Sequence, residues 1–136
     1  MKLENAIVQI PYALNLGIEI GEEFPDGAEF QLAPDERFIG NPMLQAFHGG
    51  IICGFMECAT SITAMSMSMS KTETPPRLIN QTTSFLGSAS IEHPLKVRTE
   101  LTKGGKRIIG VFAKAFQGEG NTQLVAKCST IFRVRS

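Results

Sequence analysis

The sequence predicts an α+β fold in which an antiparallel sheet packs against one long central helix, and three kinds of segment predict it. Two short segments near the N-terminus alternate apolar with polar residues, as half-buried strands do. A longer segment then repeats its apolar residues at intervals of three and four, which indicates a helix. Four more alternating segments follow, separated by turns. Because 136 residues suit one hydrophobic core, we expect a single domain, residues 1–136.

The N-terminal part combines a short helix with a strand hairpin. Residues 3–14 have an amphipathic pattern, and Pro11 ends or bends the predicted helix, which we expect to flank the core. The segments "GIEIGEEF" and "AEFQLA" alternate around the turn sequence Pro25-Asp26-Gly27 and therefore predict two paired strands. A polar loop, residues 34–42, leads on towards the central helix.

The central helix is predicted from Gly49 onwards. Its apolar stripe consists of five residues at helical spacing, namely Ile52, Phe55, Met56, Ala59 and Ile62. The segment "AMSMSMSK" that follows fits either a frayed helix end or a loop, and "KTETPPR" breaks the pattern.

The C-terminal half consists of strand-like segments. They are "RLINQTTSFL", "LKVRTELT", "RIIGVFAKAFQ" and "QLVAKCSTIFRV", with turns at Glu92-His93-Pro94, Lys103-Gly104-Gly105 and Gly118-Glu119-Gly120. We interpret the four segments as an antiparallel meander, with the helix packed on one face of the sheet.

Charge and composition argue against two classes of partner. Thirteen basic and thirteen acidic side chains give a formal net charge of zero, so the chain lacks the broad positive field that nucleic acid or anionic membranes require. No segment reaches the run of about 18 apolar residues that crosses a bilayer. The hydrophobic fraction of 43% is typical of subunits that bury an interface, and it favours a homo-oligomer.

The cysteines and the N-terminus indicate a cytoplasmic protein without a metal. Cys53, Cys58 and Cys128 are odd in number and are spaced neither for disulfides nor for a metal site, so we expect buried, reduced thiols. The sequence has no His/Cys/Asp cluster at ligand spacing. Its first residues, "MKLENAIVQIPYALNLG", lack the apolar run and cleavage site of a secretory signal.

The start of the central helix has an unusual combination of residues, His48-Gly49-Gly50 followed by Glu57. At about 100° and 1.5 Å per residue, His48 and Glu57 lie on opposite sides of the helix and about 13 Å apart along it. They cannot meet within one chain. The residues around Glu57 are all small, so a second helix could approach this face closely; they are Cys53, Gly54, Thr60, Ser61 and Ala64. In a twofold dimer, each Glu57 would reach the partner's His48-Gly49-Gly50.

This arrangement suggests acyl-transfer chemistry. Exposed N–H groups at a helix start, together with the helix dipole, can polarise a thioester or ester carbonyl and stabilise an oxyanion. Glu57 would then act as a general base on water or as a nucleophile. The same residues also allow a purely structural interpretation, in which Glu57 lies on a solvated face, His48 caps the helix and the glycines make a sharp turn.

The residues resemble those of a known family, the hotdog-fold acyl-CoA thioesterases of the phenylacetate-degradation and hydroxybenzoyl-CoA type. The family's marker is His-Gly-Gly followed by an Asp or Glu nine positions after the His, here His48-Gly49-Gly50 and Glu57. The segments "INQTTSFLGSAS", "TKGGKRIIGVFAKAF" and "GNTQLVAKCSTIFRV" are also similar to the family's strands. The resemblance covers nearly the whole chain.

The resemblance implies a sheet wrapped around the central helix, dimers that form through continuous sheets and often assemble into tetramers, and active sites between subunits. It implies hydrolysis of an acyl-CoA to a carboxylate and free CoA, without a bound cofactor. The N–H of Gly49 would contact the thioester oxygen, and Glu57 of the other subunit would be the base or nucleophile. His48 would help to shape the loop.

Three positions depart from the family's pattern. One is the Arg-Pro that often follows the Phe-Leu of the strand, where this chain has Gly87-Ser88. The family commonly has Asn or Gln six residues before the His, where this chain has Pro42, and Asn41 is the neighbouring candidate for that role. The family also commonly has Ser or Thr where this chain has Leu78, with Thr82 or Thr83 as possible replacements. The departures at Pro42 and Leu78 favour the alternative function, a non-catalytic hotdog protein that binds acyl-CoA or serves as an assembly subunit.

Four cations are candidates for binding the nucleotide phosphates of CoA. Lys103, Lys106 and Arg107 surround a Gly-Gly turn, and Arg77 is expected to join them at a subunit junction. A solvated hairpin turn can carry the same charges without binding anything.

Overall fold

The structure is a computed structural model that describes residues 1–68, 75–118 and 123–134. Its helices are α1 (Leu3–Ile7), α2 (Pro11–Leu16) and α3 (Gly49–Met67), with one turn of 3₁₀ helix at Glu36–Phe38. Its strands are β1 (Glu19–Phe24), β2 (Gly27–Leu32), β3 (Arg77–Phe85), β4 (Leu95–Gly104), β5 (Ile108–Gln117) and β6 (Gln123–Arg133).

All six strands form one antiparallel sheet in the order β1-β2-β4-β5-β6-β3. The N-terminal hairpin and the β4-β5-β6 meander are confirmed. The prediction that β3 begins this meander is wrong, because β2 pairs with β4, with Phe30 opposite Val97, and occupies the edge that β3 would need. Strand β3 pairs instead with β6, with Thr83 opposite Cys128, and forms one edge of the sheet.

Pro11 has a different role from the predicted one. It neither ends nor bends a single helix but occupies the first turn of α2, where its missing N–H leaves no intrahelical bond unmade. Gly17, in the left-handed conformation at φ 79°, terminates α2. Both short helices contact α3, as the expected flanking role requires.

Helix α3 forms the core together with the inner face of the sheet. All five residues of the predicted stripe are buried, and they pack with inward-facing strand residues such as Phe30 and Val97. The helix is long and apolar enough to span a membrane by length and composition, but more than half of it is buried inside this fold. A sheet wrapped around one central helix is the hotdog arrangement that the sequence predicted.

The end of α3 settles part of the interpretation of the Met-Ser segment. The helix continues through Met67. Met69 and residues 71–74 of the break that follows lie outside the described residues, as does most of the turn predicted at Gly118-Glu119-Gly120.

Candidate active site

His48 caps the start of α3. Its Nδ1 accepts a hydrogen bond from the N–H of Gly50 at 2.8 Å. A ring nitrogen that accepts carries no proton, so the neutral imidazole of His48 has its proton on Nε2. The backbone N–H of His48 donates to the carbonyl of Phe38 at 2.6 Å, which fixes the residue against the 3₁₀ turn. His48 therefore uses one of the N–H groups that the helix start exposes.

The two glycines consequently differ. The N–H of Gly50 is taken by His48, and those of Ile51 and Ile52 donate to the His48 carbonyl. Within the described ranges, no acceptor lies at hydrogen-bond distance from the Gly49 N–H. The Gly49 N–H is thus an open donor at the positive end of the helix dipole. The ring of Phe85 lies beside it, 3.6 Å from where a β-carbon on Gly49 would be.

The loop before His48 holds Asn41. A β-carbon at Gly40 would clash with the His48 ring, so the loop is packed directly against the cap. Asn41 follows Gly40, and its Oδ1 accepts from the N–H of Met43 at 3.0 Å in an Asx turn. The Asn41 side chain is exposed, and the turn leaves its amide Nδ2 as the group free to act on a ligand.

Glu57 lies eight residues beyond Gly49 on the same helix, about 12 Å along it. The side chain is partly buried, and within the described part of the chain its carboxylate has no hydrogen-bond or ion-pair partner. The Glu57 carboxylate lies close enough to Cys58 to affect the pKa of its thiol. Burial, assisted by the negative charge of Glu57, raises the pKa of Cys58 to about 12. One chain therefore contains a carboxylate and an open N–H donor, but it keeps them apart.

The small residues around Glu57 do not form one open face, and the packing of a partner helix there stays a prediction. Thr60 and Ala64 are completely buried within this chain. Gly54 is covered by Tyr12 of α2, and Cys53 faces β3. The small size of these residues lets elements of the same chain approach α3.

Gln81 on β3 is a residue that the sequence did not single out. Its Nε2 donates to the Cys53 carbonyl at 3.2 Å and to the Thr83 hydroxyl at 3.2 Å, tying β3 to α3 one turn before Glu57. Thr83 faces the helix and lies 3.7 Å from the Cys53 Sγ, whereas Thr82 is exposed and accepts from Asn80. The sequence could have pointed to Gln81, because it is a polar residue at an inward-facing position of an alternating strand.

The predicted phosphate-binding cations lie together at one end of the sheet. Lys103, Lys106 and Arg107 belong to the end of β4 and the turn before β5. Arg77 starts β3, where it lies opposite Arg133 of β6. Arg133 in turn pairs with the first residue of β5, so it adds a fifth cation to the basic end. Among the described residues, none of the five forms an ion pair.

The basic end is far from Gly49 within one chain. Gly49 lies beside Phe85 at the last residue of β3, and Arg77 is the first residue. At about 3.3 Å per residue, these two ends of β3 are about 26 Å apart. A ligand bound at the Gly49 N–H would therefore contact a nearby basic end only if that end belonged to another subunit.

Strand β3 has a free edge. It spans nine residues and pairs only with β6, so its other edge leaves backbone donors and acceptors unpaired within the described sheet. Ile79, Phe85 and Leu86 are about half exposed along and just after it. A long apolar edge strand is a site where another strand pairs.

The described ranges contain no group of three or more His, Cys, Asp or Glu side chains that could hold a metal ion. Cys58 and Cys128 are buried and Cys53 is half-buried, and all three are free thiols. His93, in the turn before β4, is exposed.

Solved structures with this fold are numerous. A thioesterase family protein from Silicibacter pomeroyi superposes with a TM-score of 0.81 at 18% identity, covering 98% of this chain and 96% of the other. A thioesterase from Haemophilus influenzae has a TM-score of 0.80 at 21% identity, covering 100% and 92%. A phenylacetic acid degradation-related protein from Ralstonia eutropha has a TM-score of 0.77 at 22% identity, covering 92% and 90%. At these identities, the likeness shows the hotdog fold.

The sequence itself identifies the family. No curated protein matches the chain significantly. The family model of the thioesterase superfamily matches residues 44–123, more than half of the chain, and this range includes α3 and strands β3 to β5. The chain therefore belongs to the thioesterase superfamily.

Proposed function

We propose that the protein is a cytoplasmic acyl-CoA thioesterase whose active sites form between two subunits. The observation that carries the proposal is the hydrogen bonding at the start of α3. His48 accepts the hydrogen bond of the Gly50 N–H, and the Gly49 N–H stays open. An open N–H at a helix start is suited to a thioester carbonyl oxygen, because its partial positive charge stabilises the oxyanion that forms on attack.

The free edge of β3 supports a dimer in which two sheets become continuous. Strands that pair antiparallel about a twofold axis place the Phe85 end of one β3 beside the Arg77 end of the other. Gly49 lies at the Phe85 end and would therefore face α3 and the basic end of the partner. The partner's Glu57 and its cations would then complete the site that one chain leaves open.

The chemistry follows from these parts. With the thioester oxygen on the Gly49 N–H, Glu57 takes a proton from a water molecule, whose oxygen attacks the carbonyl carbon. The tetrahedral intermediate collapses by breaking the C–S bond, and the CoA sulfur leaves with the proton from Glu57. Alternatively, the carboxylate attacks the carbonyl carbon directly, and the C–S bond breaks to expel the CoA thiolate. Water then hydrolyses the resulting mixed anhydride, which releases the carboxylic acid and regenerates Glu57. The basic end would bind the phosphates of CoA through charge-assisted hydrogen bonds.

One observation favours the second candidate, a non-catalytic protein that binds acyl-CoA or assembles with other subunits. Pro42 replaces the family's usual Asn or Gln, and the Oδ1 of the neighbouring Asn41 is already used by its turn. In that case, acyl-CoA would bind to the native state and stabilise it without being consumed.

Thiol release from a panel of short, long, branched and aromatic acyl-CoAs tests the proposal, with the melting temperature measured in the same solutions. Turnover of at least one member is the expected result. A raised melting temperature with no thiol released would favour the binding protein. The absence of both turnover and stabilisation across the panel would count against the thioesterase and against a protein that binds acyl-CoA.

A further inference from the structure

Tyr12 of α2 lies directly against the backbone of α3. A β-carbon added at Gly54 would lie 2.8 Å from Cε2 and 2.9 Å from Oη of Tyr12, so only glycine leaves room for the ring in this position. Glycine in a helix interior destabilises the helix relative to alanine. Gly54 therefore makes room for the phenol ring of Tyr12 but lowers the stability of α3.

Core packing does not account for this contact. Tyr12 is 43% exposed, whereas Ala13 and Leu16 anchor α2 to the core and are 0% and 7% exposed. Within the described residues, the Tyr12 hydroxyl has no hydrogen-bond partner. The tip of the ring, including its hydroxyl, thus lies against α3, while nearly half of the residue's surface stays exposed.

Tyr12 lies against a helix position that neighbours Glu57. Gly54 and Glu57 are three residues apart on α3, and side chains at this spacing are neighbours on a helix, with β-carbons about 5–6 Å apart. Tyr12 therefore lies one turn from Glu57, towards the N-terminus of the helix.

The basic end lies in the opposite direction. Ala64, beyond Glu57 on α3, packs against Ile109 and Val134, which are near the end of the sheet that carries Arg107 and Arg133. A thioester whose carbonyl carbon is at Glu57 and whose phosphates reach towards the basic end would direct its acyl group the other way along α3. That direction leads to Tyr12.

On the basis of the proposed function, we infer that Tyr12 is a specificity-determining residue that forms the wall of the acyl site next to Glu57. The ring blocks the path of the acyl chain one turn from the reacting carbon. The enzyme accordingly selects short or single-ring acyl groups over long chains.

The test compares kcat/KM for acetyl-, hexanoyl-, decanoyl- and palmitoyl-CoA in the wild type, Tyr12→Ala and Tyr12→Phe. Tyr12→Ala is expected to raise the ratio of long-chain to short-chain kcat/KM by about tenfold or more, the scale of pocket-size discrimination. Tyr12→Phe keeps the ring and is expected to keep the wild-type profile. Leu14→Ala, at an exposed position of the same helix, is the matched control.

The outcomes are distinguishable. An active wild type with an unchanged chain-length profile in Tyr12→Ala overturns the inference and leaves the thioesterase proposal intact. An equal fall for all four substrates, with a lowered Tm, would assign Tyr12 a structural role and overturn the inference as well. A wild type that is inactive on these four substrates and also on the branched and aromatic acyl-CoAs of the wider panel overturns both proposals together.

Discussion

The start of α3 and its middle differ in how far a single chain completes them. At the start, His48 is held by Phe38, caps Gly50 and leaves one N–H open, so this half of the site is organised by local hydrogen bonds. In the middle, Glu57 is partly buried and has no partner among the described residues. The difference supports the proposal that one chain prepares two halves of a site separately and that assembly of two chains joins them.

The largest effect is expected at Glu57. Glu57→Gln removes the proposed base or nucleophile while keeping the side chain's shape, and we expect kcat to fall at least about hundredfold with KM nearly unchanged. Thiol release measures both parameters. Glu100→Gln, at an exposed position of β4, is the matched control and is expected to keep wild-type turnover. Normal turnover in Glu57→Gln would remove this residue from the mechanism.

Gly54→Leu tests which element covers the middle of α3. The new side chain would clash with Tyr12 and displace α2, so we expect a loss of about 1–3 kcal/mol in the free energy of unfolding, typical of overpacking. Urea denaturation measures the loss. Because Tyr12 of the same chain covers Gly54, the proposed dimer is expected to persist in sedimentation. Dissociation of the dimer without a loss in the free energy of unfolding would show that this face of α3 lies in the subunit interface.

At the start of the helix, His48→Ala removes the cap. The Gly50 N–H then loses its acceptor, and we expect the free energy of unfolding to fall by about 1 kcal/mol, the usual value for a lost N-cap. His48→Asn retains a capping oxygen and is expected to restore most of this stability. Equal losses in both variants would show that the imidazole ring contributes by packing against Gly40 instead.

The smallest effect is expected at the basic end. Arg77→Ala or Arg133→Ala each removes one exposed cation, and we expect KM for an acyl-CoA to rise about twofold to fivefold at low salt, the scale of exposed ion pairs. An acyl-pantetheine substrate, which lacks the nucleotide phosphates, serves as the control and is expected to respond to neither change. A parallel rise for both substrates would contradict a phosphate-binding role.

Much of the fold follows from local patterns in the chain. The alternation on either side of Pro25-Asp26 predicts the hairpin because neighbouring segments joined by a short turn have few other ways to pair. The stripe from Ile52 to Ile62 predicts α3 because its helical period leaves one continuous apolar side. His48-Gly49-Gly50 and Glu57 were singled out by their spacing together with the resemblance to the hotdog-fold thioesterases, and their spacing alone also allows a structural interpretation.

The parts that were wrong or missed depend on contacts between distant segments. The partner of β3 depends on β2 having taken the free edge of β4, and no property of β3 itself reports this. The proximity of Arg77 to Arg133 follows from that pairing. Tyr12 and Gly54 each look ordinary in the sequence, and their significance comes from the packing of α2 on α3.

By itself, the sequence determined the class of fold, the central helix and the residues whose side chains or N–H groups are suited to chemistry. Periodicity and residue type reveal these because both act over a few neighbouring residues. Only the tertiary structure decided the edge position of β3, the separation of Gly49 from Glu57, the occupation of the Gly50 N–H and the place of Tyr12. These depend on which strands and helices compete for the same edges and surfaces, and that competition is resolved only when the whole chain packs.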